Sequence, residues 1–409
     1  MKFRSFALFS FSLACTLPLA RAGDPAATGV SGPPTPTSPS GDWCASLATL
    51  GTLYDHPDHP VLQRFHLGGR FQYQAAFLSG EDVNGREFND TYDEYRRVRI
   101  ESKTEFLRFF SATVGANLVA DGRRGGGDLD WGYDSFDEAY LRVDLKEAFG
   151  AGSLDALTLG YGRYKLKMSR EAHQSSKRIL TIERSAISNK IYGSARPTGF
   201  ELAAAKGPWS SILGVYSTED DSEFVGGWND GIAWYGHLNY RPGDALEFSA
   251  DAIYNDREAA EDDVLGYEWA VSLDATYERD RFGMLGSLIG GENNSPAAAR
   301  GGHFHGVVAM PWYWLVEEKL QLVFQYQYAG ASEDEGIRTN SRYGRARHSP
   351  GVDVNGGRGD RLHTFYGGLN YYLCGHRAKI MGGVEYAALD TPRGDVDFTT
   401  CTIAFRGYF

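Results

Sequence analysis

The chain is sparing with cysteine, proline and positive charge. Only 4 of its 409 residues are cysteine and 15 are proline. Beyond the N-terminal segment no run approaches the about 18 apolar residues that a membrane-spanning helix needs. Positive charge is also scarce: 41 Lys and Arg stand against 53 Asp and Glu, a net charge of −12, which argues against nucleic acid as a partner, since phosphate contacts require a basic surface. No Ser and His are spaced as a nucleophile and its base. His303 and His305 share a strand face without a Cys or carboxylate at ligand spacing, and read as polar residues lining an interior. No catalytic residue, cofactor or metal is therefore expected.

Glycine (50), Tyr (24), Phe (23) and Trp (8) are plentiful, while the mean hydropathy is only −0.38. That mixture arises when apolar and polar side chains alternate along strands. In residues 64–78, Phe65, Leu67, Phe71, Tyr73, Ala75 and Phe77 fall on one face, and His66, Arg70, Gln72 and Gln74 on the other. A soluble sandwich would bury one such face and wet the other. A membrane barrel instead puts the apolar set against lipid and the polar set around water. Residues 320–328 repeat the pattern, with Leu320, Leu322, Phe324, Tyr326 and Tyr328 outward and Gln321, Gln325 and Gln327 inward. The last strand places Cys401, Ile403, Phe405 and Phe409 on one face and Thr400, Thr402, Ala404 and Arg406 on the other. An open edge there would be unsatisfied in lipid, so this strand is expected to pair with the first.

Residues 1–22 read as a secretory signal, with Lys2 and Arg4 before an apolar run and Ala20-Arg21-Ala22 as the cleavage site. Residues 23–60 form a Pro-, Ser- and Gly-rich linker and a short N-terminal segment with a helix over 43–54, and residues 61–409 form the barrel. Long polar connections (80–91, 121–135, 168–185, 218–231, 256–266, 293–301, 331–361, 389–397) alternate with short ones. This rhythm predicts an all-β, transmembrane antiparallel β-barrel of about 16 strands, with short periplasmic turns and long outer loops. The Gly pairs 68–69, 290–291 and 382–383 mark bulges or close packing. Cys44 and Cys374 lie toward the periplasmic side, where they can bridge; Cys401 faces lipid.

The chain resembles the phosphate-selective porin O and P family of Gram-negative outer membranes. The matching pieces are Arg97 and Arg99 on an early strand, Tyr161-Gly162-Arg163-Tyr164-Lys165, Ser175-Ser176-Lys177-Arg178, Glu183-Arg184-Ser185 and Arg196-Pro197-Thr198-Gly199. The terminal strand ending in Phe409 is similar to the assembly signal of bacterial outer-membrane barrels. The resemblance implies a homotrimer whose third outer loop, residues 168–185, folds into the lumen as the constriction. The anion-guiding residues would then be Arg70, Arg97, Arg99 and Lys103 on the first strands, Arg142 and Arg406 on later ones, and Lys165, Lys167, Arg170, Lys177, Arg178 and Arg184 at the loop. A basic constriction can select anions in an acidic protein, because the field inside the pore is what an ion meets. Glu171 and Glu183 leave a second reading open, in which they pair with the loop cations and only hold the loop in place. The connection 256–266 is acidic where an anion funnel would be basic, through Asp256, Glu258, Glu261, Asp262 and Asp263.

The expected function is passive diffusion of small hydrophilic, anion-leaning solutes across the outer membrane. Expected partners are membrane lipid, lipopolysaccharide and the barrel assembly machinery through Phe409. Loop carboxylates Asp82, Glu87, Asp128 and Asp130 either bridge divalent cations to lipopolysaccharide or are solvated. The alternatives are a plugged structural or adhesive barrel, for which Arg358-Gly359-Asp360 would be the presented tripeptide, and a soluble glycan-binding sandwich.

Overall fold

The computed structural model describes residues 41–119, 132–150, 152–192, 196–219, 227–228, 231–256, 265–345 and 350–409. The signal segment, most of the linker, Asp128, Asp130 and the acidic residues Glu258, Glu261, Asp262 and Asp263 lie outside the described residues.

Sixteen strands close into one antiparallel ring. They are β1 (Leu62–Glu81), β2 (Glu87–Phe106), β3 (Phe110–Asn117), β4 (Ser135–Asp144), β5 (Ala156–Arg163) and β6 (Thr198–Lys206). The ring continues with β7 (Trp209–Ser217), β8 (Ile232–Tyr240), β9 (Leu246–Asn255), β10 (Tyr267–Arg279) and β11 (Phe282–Asn293). It ends with β12 (His303–Val316), β13 (Leu320–Ala331), β14 (Arg361–Tyr372), β15 (Ala378–Asp390) and β16 (Val396–Tyr408). β16 pairs with β1 from Asp397 opposite Glu81 to Tyr408 opposite Arg70, so no edge is left for lipid. Phe409 completes the seam by exchanging backbone hydrogen bonds with Gly69 at 3.1 and 3.3 Å. Gly69 carries no side chain for good reason, since a Cβ there would lie 2.5 Å from the Phe409 ring.

The burial pattern decides between the two readings of alternation. Leu213, Leu273, Leu288 and Ile403 are 58–62 % exposed, whereas Gln72, Gln74, Gln321, Gln327, Lys379 and Arg406 are 0–3 % exposed. Apolar residues outside and polar ones inside are what lipid requires, which rules out the soluble sandwich. Aromatic side chains ring both rims of the apolar band: Trp209 stacks on Tyr240 at 4.2 Å at one, and Tyr161 meets Phe200 at 4.5 Å at the other.

Two boundaries near the N-terminus differ from expectation. The connection after β1 is not the long loop 80–91 but the turn 82–86, because Glu87 to Asp90 continue the ladder opposite Leu78 to Glu81. The N-terminal helix, α1 (Gly41–Thr49), is shorter than 43–54 implies, and Thr52–Asp55 pairs with β1 instead. The α1 helix is tied to the turn after β14 by the Cys44–Cys374 disulfide, while Cys401 is free and exposed on the outer face. A second short helix, α2 (Leu145–Phe149), makes the turn after β4; the Asp144 carboxylate caps it by accepting from the Glu147 N–H at 3.0 Å.

None of the Gly pairs is a bulge. They give room to aromatics: a Cβ on Gly291 would lie 2.5 Å from the Phe304 ring and one on Gly383 2.4 Å from the Tyr366 hydroxyl. Bulges fall elsewhere: Gln63, Glu268 and Leu315 are extra residues near strand ends, and Arg96 on β2 and Asp137 on β4 are extra residues beside the lumen.

Candidate functional site: the loop-filled lumen

The connection between β5 and β6, residues 164–197, turns into the barrel and is called L3 below. It is wider than 168–185 and carries two short helices, α3 (Arg170–His173) and α4 (Ala186–Tyr192). Polar wall residues hold it by its backbone. Gln72 Nε2 donates to Ser176 O at 3.1 Å, Asn370 Nδ2 to Leu180 O at 2.8 Å, and Lys379 Nζ to Ile179 O. Gln327 Oε1 accepts the N–H of Ala186 at 2.7 Å, and Arg70 Nη1 donates to Ser176 Oγ at 2.6 Å. These anchors come from β1, β13, β14 and β15, so the loop reaches across the lumen.

The bulges at Arg96 and Asp137 aim charge at this loop, as an extra residue re-points a side chain. Arg96 makes a two-pronged pair with Glu183 at 2.6 and 3.1 Å, and Arg97 stands 3.8 Å from the same carboxylate. Asp137 takes Arg99 from the wall and Arg196 from the end of L3, the latter at 2.6 Å. The reading left open, in which Glu171 and Glu183 hold the loop in place, keeps the role but changes the partners. Glu183 binds wall arginines, and Glu171 accepts from Ser185 and, at 3.0 Å, from Gln325.

The candidate cations separate into groups. Lys379, Arg406, Gln72 and Arg97 are successive register partners across β15, β16, β1 and β2, forming one inward row. Arg97 Nη1 donates to Gln72 Oε1 at 2.8 Å and Arg406 Nη2 to Gln74 Oε1 at 2.5 Å. Arg70 and Arg99 face each other in the next row. Lys177 lies 3.3 Å from Glu101, and Lys165 sits over the Tyr192 ring at 4.8 Å. Arg184 is spent on the loop itself, donating to the carbonyls of Glu171 and Gln174 at 2.7 Å each. Arg170 and Arg142 are matched by wall carboxylates, Glu247 at 3.4 Å and Glu201 at 3.0 Å, and Lys103 is half-exposed beside Glu101 at 3.3 Å. Lys167 offers its carbonyl to the Tyr235 hydroxyl at 2.7 Å. Among the described residues, Arg178, Lys379 and Arg406 have no carboxylate within ion-pair distance.

Alternation along the strands does not reveal three further features. A second connection, residues 332–360 and called L7, also folds inward: Arg342 pairs with Glu94 at 2.5 Å, Tyr343 Oη donates to it at 2.9 Å, and Asn340 Nδ2 donates to Arg184 O at 2.6 Å. Between L3 and L7 lies a cavity of about 410 Å³ lined by Lys190, Arg300, Arg338, Arg345 and Arg358. Finally, His173 and His237 share the carboxylate of Asp251, at 2.9 Å each.

One expectation and two open readings fail in this region. His303 and His305 point outward; Phe304 and Gly306 face the interior, which is dry there because Ile187 of α4 packs against Gly306. Asp82 is not offered to lipopolysaccharide but buried, accepting the N–H groups of Asn84, Arg86 and Asp353 at 2.9–3.0 Å. The Arg358-Gly359-Asp360 tripeptide is not presented, since Arg358–Gly359 pairs with Ile337–Arg338 and Gly359 is buried.

A closed sixteen-strand barrel constricted by an inward loop is the architecture of a diffusion pore, and the family profile described as "Phosphate-selective porin O and P" matches residues 65–314. The chain belongs to this family. The porin also resembles solved structures at fold level. With the anion-selective porin from Comamonas acidovorans it shares 11 % identity and a TM-score of 0.56, over 84 % of this chain and 99 % of that one. OmpT of Vibrio cholerae gives 10 % and 0.54 over 85 % and 97 %. The outer membrane channel DcaP of Acinetobacter baumannii gives 13 % and 0.53 over 85 % and 97 %. No curated protein matches the sequence. The porin is an outer-membrane protein with its short turns on the periplasmic side.

Proposed function

We propose that this porin passes small hydrophilic anions, with L3 as the constriction and the inward row Lys379, Arg406 and Arg97 as the guide. The observation that carries the reading is the row itself. It brings three cations to neighbouring strands at the level of the loop, and among the described residues only Arg97 has a carboxylate, Glu183, within ion-pair distance. A positive field at a narrow, low-dielectric passage enriches anions whatever the net charge of the protein. The basic cavity between L3 and L7 supports an anion-attracting vestibule on the outer side. An assembly of three copies is proposed on the same footing, a related barrel being described as a trimer form. Contacts with lipopolysaccharide and with the assembly machinery through Phe409 are part of the same reading.

The test is the reversal potential in a salt gradient across a planar bilayer, with chloride and then with phosphate. Replacing Lys177 and Arg178 by Gln together should move the potential toward cations. An unchanged potential sinks the role of L3, and the absence of steady current in the wild type would favour a plugged barrel.

A further inference from the structure

The two histidines and the aspartate that meet where L3 enters the barrel are not needed for ion guidance. They come from three separate elements: His173 from α3, His237 from β8 and Asp251 from β9. His173 Nε2 and His237 Nδ1 each lie 2.9 Å from the same oxygen, Asp251 Oδ1, and the three atoms fall within 4.8 Å of one another. The two imidazole rings overlap at 4.1 Å. We propose that His173, His237 and Asp251 form a binding site for a divalent transition-metal ion of the Zn²⁺ type, which staples L3 to the barrel wall.

The donor set argues for that class of ion. Two imidazole nitrogens and one carboxylate oxygen suit Zn²⁺ and its neighbours, whereas Ca²⁺ and Mg²⁺ take oxygen ligands. A tetrahedral ion about 2.0 Å from its ligands holds them about 3.3 Å apart, so two of the three edges are already slightly short and need only small side-chain shifts to open. The surroundings resemble the outer shell of a metal site, in which ligands are oriented by further hydrogen bonds. Asp251 Oδ2 accepts the N–H of Ser169 at 3.1 Å, and the Tyr235 hydroxyl lies 2.8 Å from Oδ1, with Lys167 O also within reach at 2.7 Å. Asp274 on β10, hydrogen-bonded to Ser272 and Ser287, adds a second carboxylate nearby, while Arg170 and Arg241 share Glu247 and Lys167 is a third cation of this corner. Without an ion, one carboxylate oxygen must serve two imidazole nitrogens. A bound dication replaces those crowded hydrogen bonds with coordination.

The experiment uses the full-length porin folded in detergent, stripped with a chelator and titrated near neutral pH with ZnCl₂ by calorimetry and with CoCl₂ by visible absorption. One equivalent of Zn²⁺ should bind, and Co²⁺ should give the strong d–d bands of a low-coordinate nitrogen-ligated site. His173→Gln and His237→Gln should each weaken binding more than about tenfold, since losing a ligand costs at least what losing its supporting partner does. The rim variant carrying His303→Gln and His305→Gln should bind like the wild type. Heat-modifiable gel mobility reports whether each variant is folded. Absence of binding in the wild type overturns the proposal even if no variant folds, and so does binding that survives in folded His173→Gln and His237→Gln.

Discussion

Three lysines of L3 make ion selectivity a function of pH. Burial pushes Lys165 and Lys190 down to about 7, and Lys177 down to about 8 against the opposing pull of Glu101. Each is cationic below its pKa and neutral above it, so anion preference is greatest on the acid side. Between about pH 6 and about pH 9 these three lysines then lose about 2.7 positive charges. At about 10 Å in water one such charge is worth about 0.4 kcal/mol to a monovalent ion, and screening at about 0.1 M salt leaves roughly a third of that. Together they change the local concentration of each ion by about twofold, in opposite senses for anion and cation, or about fourfold in the permeability ratio. The assay is the chloride-to-potassium permeability ratio from reversal potentials across that pH range. A ratio that stays flat or rises with pH refutes the reasoning, as does an unchanged slope in the variant carrying Lys165→Gln, Lys177→Gln and Lys190→Gln.

Other outcomes follow from the same geometry. Glu183→Gln leaves Arg96 and Arg97 without their carboxylate at a cost of about 2 kcal/mol to the docked loop, so single-channel current should become noisier and L3 more easily cut by trypsin; a quiet, resistant pore counts against it. Gly306→Val puts its Cβ about 2.8 Å from Ile187 and 2.5 Å from Tyr328 O; overpacking of about 1–3 kcal/mol should lower the temperature of the heat-modifiable gel shift. Cys44→Ser should release α1 to proteolysis while the barrel keeps its heat-modifiable mobility, because that disulfide ties the helix to a turn and closes no strand pair.

Strand alternation made the barrel legible, because lipid outside and polar contacts inside enforce a period of two along nearly every strand. What it could not report is the nature of the inside at each height. His303 and His305 were expected inward on the premise of a wet lumen, yet α4 dries that part of the wall and the polar pair turns out instead. The polar residues Glu87 to Asp90 read as a loop by composition although they are paired, since β1 and β2 run to 20 residues each, well past the 9–11 that a bilayer asks of a strand. Arg96 and Asp137 were invisible as lumen residues because a bulge breaks the count by one. His237 and Asp251 lie 14 residues apart, and only the register of β8 against β9 sets them opposite each other. The inward fold of L3 and its chief cations came from family likeness, and the structure supplied their partners.

The hydrogen bond from Asn340 to the Arg184 carbonyl joins two connections more than 150 residues apart in the chain. Neither connection sets the width of the passage alone, since moving L7 also releases a carbonyl of L3.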